Sequence, residues 1–106
     1  MTETRNIFSN IPTSLPDEFL EELISTKNIK IERIISRGHT TPKGKWHDQD
    51  KNEWIIVLKG SAELSFEGNI NIKMKEGDFI NIPAHVKHRV KKTDSSGETV
   101  WLAVFY

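Results

Sequence analysis

Residues 77–90 read GDFINIPAHVKHRV, and the direction in which His88 points decides what kind of fold the chain can have. Val86, His88 and Val90 alternate with Lys87, Arg89 and Lys91. In an extended chain successive side chains point to opposite faces. A strand here therefore puts His88 with the two valines, opposite the cations. If the cationic face meets water, the imidazole faces a core. His85 falls on the other parity and reads as a surface residue, the functional alternative being an acid/base group or extra ligand at a pocket rim.

The sequence on either side has the same extended character. SAELSFEG (61–68) alternates Ala62, Leu64 and Phe66 with Glu63, Ser65 and Glu67, and NINIKMKEG (69–77) alternates Ile70, Ile72 and Met74 with Asn71, Lys73 and Lys75. EWIIVLKG (53–60) is apolar on both faces, as a strand covered on both sides would be. IKIERIIS (29–36) and ETVWLAVFY (98–106) are rich in β-branched and aromatic residues. Turn signals separate these runs at Gly60-Ser61, Gly68-Asn69, Glu76-Gly77-Asp78 and Ser95-Ser96-Gly97. Short strands at hairpin spacing predict an all-β antiparallel sandwich or barrel. One segment reads differently. In SLPDEFLEELIS (14–25), Ser14 can cap, Pro16 suits a first turn, and Phe19, Leu20, Leu23 and Ile24 share a helical face. The expectation is a short N-terminal helix packed over the body.

Composition narrows the function classes. A chain of 106 residues with 36% hydrophobic and 28% charged residues is sized for one globular domain with its own core. We expect a single domain over 1–106, with a helical arm over 1–28 and a β body over 29–106. There is no cysteine, which excludes disulfides, thiolate metal sites and a cysteine nucleophile. Basic and acidic residues balance at 15 each, so no basic field predicts nucleic-acid binding. The local cluster of Lys87, Arg89, Lys91 and Lys92 reads as the solvent face of a strand whose lysines guard against edge pairing. No signal-peptide-like or membrane-spanning run is visible, and the expectation is a soluble cytoplasmic protein.

A second polar cluster lies in GKWHDQDKNEW (44–54). His47 and Gln49 share a face if extended, and Glu53 shares one with Ile55 and Val57. These three and His88 could converge inside one small β structure. Leaving a buried polar group unpaired costs roughly 2–7 kcal/mol, against a domain stability of about 5–15 kcal/mol. Four such groups must therefore bond to one another, line a wet pocket or hold a cation. Imidazole, carboxylate and amide oxygen suit a divalent ion such as Fe, Mn, Ni or Zn. His39, in a loop-rich stretch, reads as structural. Trp46, Trp54 and Trp101 read as core or interface residues, with Trp54 on the face opposite Glu53.

The same residues carry a family resemblance. The chain resembles a small single-domain cupin over residues 29–106. One cupin motif, G-x5-H-x-H-x3,4-E-x6-G, is matched at His47, Glu53 and Gly60, with Gln49 at the second histidine and Thr41 at the opening glycine. The other, G-x5-P-x-G-x2-H-x3-N, is matched at Gly77, Pro83 and His88, with His85 and Lys92 in place of its second glycine and its asparagine. The longer spacing of the first motif would instead place Trp46 and Asp48 at the ligand positions. The resemblance implies a double-stranded antiparallel β-barrel of jelly-roll type. It also implies a mononuclear divalent metal held by His47, Gln49, Glu53 and His88, and dioxygenase- or isomerase-like chemistry on a small oxygenated molecule. The alternative it allows is a non-catalytic module that binds or senses a small ligand or sugar. Ile55, Val57, Ile80, Ile82, Val86 and Val90 would shape the pocket, and a homodimer is the expected assembly.

Overall fold

The computed structural model describes residues 2–106 and contains strands β1 (Phe19–Ser25), β2 (Lys30–Ser36), β3 (Glu53–Lys59), β4 (Ser61–Phe66), β5 (Ile70–Lys75), β6 (Phe79–Ile82), β7 (His88–Thr93) and β8 (Thr99–Phe105). They form two antiparallel sheets, a five-stranded one in the order β1-β2-β8-β3-β6 and a three-stranded one in the order β5-β4-β7. Their inner faces enclose a core containing Ile34, Ile55, Val57, Leu64, Met74, Ile82 and Trp101. Period-two alternation explains the packing. β3 buries Glu53, Ile55 and Val57 and leaves Trp54, Ile56 and Leu58 half-buried on the outer face.

Two expectations need correction. There is no helix among the described residues, and SLPDEFLEELIS holds β1 instead. Residues 19–25 lie antiparallel to β2, from Phe19 opposite Ile35 to Ser25 opposite Lys30, with a register shift between Glu22 and Ile24. A helix of about 12 residues is marginal on its own. Here the free edge of β2 offers a ladder of backbone hydrogen bonds, and tertiary pairing overrides the local preference. The barrel is also not closed, because among the described residues no ladder joins the two sheets. The chain between β2 and β3 that borders β7 is too loop-rich to form a strand. It touches that edge at single points, with Gly38 N–H donating to Asp94 O, Thr41 N–H to Val90 O and His47 N–H to His88 O.

Two residues hold the frame in ways the sequence pattern does not announce. Arg33, only 3% exposed, donates to the backbone oxygens of Ile7, Ser9 and Asn10 and lies 2.9 Å from Glu21 Oε1 through its Nε. It ties the N-terminal segment onto the outer side of β1 and β2. Gly60 turns the chain from β3 into β4 at φ +87°, and a Cβ there would sit 2.6 Å from Thr99 Oγ1. Only glycine fits both the left-handed backbone and the close approach.

Candidate functional site

Glu53 and His88 sit on opposing sheets at the same end of the sandwich. Glu53 opens β3 opposite Ile82 and Phe105, and His88 opens β7 opposite Phe66. Each begins a strand with its side chain on the inner face, so both meet across the core. Glu53 Oε1 lies 3.2 Å from His88 Nε2, and both side chains are buried. The other ring nitrogen, Nδ1, is 2.9 Å from Val86 O. A carbonyl can only accept, so Nδ1 carries a proton. A carboxylate also accepts. With Glu53 ionised the ring donates at both nitrogens as an imidazolium; with a neutral ring the proton of the contact sits on Glu53. Burial pushes the His88 pKa down, but the hydrogen bonds to Glu53 and Val86 and the Glu53 charge outweigh it, and the pKa rises above the ordinary histidine value.

His47 is brought beside this pair by the backbone. His47 and His88 form an isolated antiparallel bridge, with N–H to O distances of 2.7 and 3.1 Å. Their ring centroids are 5.6 Å apart. His47 Nε2 lies 3.3 Å from Thr41 Oγ1. Gln49 accepts a backbone hydrogen bond from His85, and with His47, Glu53 and His88 it lines one cavity of about 550 Å³. All four residues picked out in the sequence therefore border the same space. As the side chains lie, no three histidine or carboxylate groups among the described residues are grouped closely enough to hold a metal ion. The donor set nonetheless suits a divalent ion, because His88 is oriented through Nδ1 by a backbone carbonyl. That arrangement aims Nε2 inward, as metal-binding histidines are commonly held.

The remaining candidates separate clearly. Ile55, Ile82 and Val90 line the cavity, Val57 is buried in the core, and Ile80 is half-buried and packs against it. Val86 does not belong to that set. It is 39% exposed and lies in a turn, its N–H bonded to Pro83 O, because β7 starts only at His88. His85 is exposed, as its parity implied, and has a partner the sequence did not suggest: its Nδ1 is 2.9 Å from Asp48 Oδ1. His39 is a structural residue, accepting from Arg37 N–H at Nδ1 and donating to Leu15 O from Nε2. Trp101 and Phe105 line the cavity from β8 and Lys30 from β2. The alternation of those two strands carried the signal for all three.

The comparisons with known proteins agree with this architecture. A family model described as "Cupin domain" matches residues 33–105. A crystal structure from Ralstonia eutropha JMP134, provisionally named as a mannose-6-phosphate isomerase, is 43% identical and superimposes with a TM-score of 0.94 over 98% of this chain and 97% of its own. An RmlC-like cupin protein of Desulfovibrio desulfuricans shares the fold at 18% identity, with a TM-score of 0.76 over 99% of this chain and 97% of its own. An uncharacterized protein of Methanocaldococcus jannaschii is 29% identical over 77 residues, or 72% of this chain, and the match spans 64% of that relative's length. With paired antiparallel sheets, an inward His88–Glu53 pair and a family match over most of its length, the chain belongs to the cupin domain family.

Proposed function

We propose that His47, Gln49, Glu53 and His88 hold a mononuclear divalent metal (Fe, Mn, Ni or Zn) at the wall of the cavity. The site would bind or transform a small oxygenated molecule by isomerase- or dioxygenase-like chemistry. The observation that carries this reading is the orientation of His88, with Nδ1 tied to Val86 O and Nε2 aimed at Glu53. When bound, such an ion supplies Lewis acidity toward a carbonyl or hydroxyl oxygen. The chain's own part is to orient His88 Nε2 and Glu53 toward one another beside a space large enough for a small ligand. The name of the Ralstonia relative is compatible with isomerase chemistry.

Elemental analysis of protein expressed with added metal and purified without chelator tests the proposal. We expect stoichiometric metal, lost in His47→Ala and in His88→Ala. Because the ion replaces the proton between Nε2 and Glu53, calorimetric titration of the stripped protein should show proton release. Protein that stays metal-free, yet is stabilised by a small ligand or sugar regardless of metal, would point to the non-catalytic binding module instead.

We further propose a homodimer joined through the outer face of β8, β3 and β6. Trp54 and Phe79 stack there with centroids 5.3 Å apart, Phe79 is 64% exposed, and Ile56, Leu102 and Val104 extend the apolar surface. Antiparallel sheets normally keep one polar face for water. An uncharged face of this kind complements a second copy of itself. Sedimentation should give about twice the chain mass for the wild type and the monomer mass for Phe79→Glu. A monomeric wild type at micromolar concentration would exclude this interface.

A further inference from the structure

The cavity is divided by chemistry along its length. Lys30, Phe105 and Glu53 occupy one row across β2, β8 and β3, so Lys30 and Glu53 are two strand spacings, or about 10 Å, apart at the mouth. His88 stands beside Glu53. Deeper rows bring in Ile34, Ile55, Leu64, Val90 and Trp101. Their side chains are aliphatic or aromatic, and the one polar atom they carry, the Trp101 indole nitrogen, already donates to Ser36 Oγ. A polyhydroxylated ring pushed into that space would lose water from each hydroxyl and gain no partner.

The charges at the mouth point the same way. Among the lysines lining the cavity, Lys30 is paired with Glu32 at 3.4 Å. Lys51 donates to Asn28 O, which joins its loop to the turn carrying Lys27. Among the described residues neither Lys27 nor Lys51 has a carboxylate within ion-pair distance. Of the acids along the cavity wall, Glu53 faces His88 and Glu32 faces Lys30, whereas Glu18 accepts only from the Ser36 hydroxyl and Asp50 lies exposed, 3.7 Å from His85 Nε2.

We propose that the ligand is a small amphipathic carboxylic acid. Its carboxylate would lie at Lys27 and Lys51, its carbonyl or hydroxyl oxygen toward His88 and Glu53, and its aromatic or branched aliphatic body against Phe105 and Val90. A sugar or sugar phosphate does not fit this division. The inference rests on the reading that the His47–His88 cluster addresses the cavity, but it is tested separately from metal content.

Calorimetry with phenylpyruvate, mannose 6-phosphate and mannose, each with chelator and with added Mn²⁺, makes the test. Phenylpyruvate should bind at least tenfold more tightly than either sugar. Lys27→Ala/Lys51→Ala, both at exposed positions, should weaken it about tenfold while leaving metal content unchanged. Equal or tighter binding of mannose 6-phosphate would overturn the assignment. So would unchanged phenylpyruvate affinity in the lysine variant, or no binding of the acid to protein that holds its metal. Loss of metal with acid binding retained would overturn the metal proposal and leave the ligand class standing.

Discussion

Replacing Trp101 with alanine should lower the unfolding free energy by about 3–5 kcal/mol, the usual cost of deleting a large aromatic side chain from a core. Trp101 is only 1% exposed and lies on β8, with Ile34 and Val57 as its cross-strand partners. It is central in the five-stranded sheet, and the hole left behind cannot collapse without moving both neighbouring strands. Its indole N–H also donates to Ser36 Oγ at 3.3 Å, and that hydroxyl donates on to Glu18 Oε2 at 3.0 Å. Trp101→Phe should cost less than the alanine change. It keeps a six-membered ring but deletes the pyrrole edge, so its cost combines one hydrogen bond, about 1 kcal/mol, with a smaller cavity. Urea unfolding followed by far-ultraviolet circular dichroism measures both. A Trp101→Ala loss below about 1 kcal/mol would mean that the ring is not closely packed, and the cavity floor would have to be redrawn.

The strands of this fold are largely legible in the sequence because their signal is a one-dimensional pattern. Ala62, Leu64 and Phe66 alternate with more polar neighbours, and β4 forms where they stand. β1 is illegible because its fate is decided by pairing with the next strand, which the helical spacing of its own apolar residues does not reveal. Phe19, Leu20, Leu23 and Ile24 satisfy a helical spacing, but the edge of β2 competes for the same backbone groups. His88 does face inward, but not because an alternation runs on from Val86. Residues 83–86 form a turn in which His85 adopts φ +66°. The inward direction of His88 comes from its place as the first residue of β7 opposite Phe66. The lysine pair at the mouth has no signature in the sequence, because two loops far apart along the chain place it.

The Glu53–His88 pair makes the sharpest energetic prediction. Removing one member of a buried ion pair leaves the other without compensation, which costs about 3–5 kcal/mol. His88→Ala and Glu53→Ala should each be destabilised by roughly that amount when metal is removed with chelator. The pair itself need contribute little net stability, because burying two charges offsets most of their attraction. Glu53→Leu/His88→Leu should therefore cost less than either single alanine change. Linkage adds a pH signature. The folded His88 pKa lies above its unfolded value, so the pair's contribution is complete below the ordinary histidine range near 6.5. It falls as pH rises through the higher folded value, by up to about 1.4 kcal/mol for every pH unit separating the folded and unfolded values. Chelated wild type should thus lose stability between mildly acidic and mildly alkaline pH, and His88→Leu should show a flatter profile over that window. Additive costs in the double variant, together with parallel pH profiles, would show that the two groups are not coupled. The proton assigned to the contact between Nε2 and Glu53, and with it the exchange for a metal ion, would then have no basis.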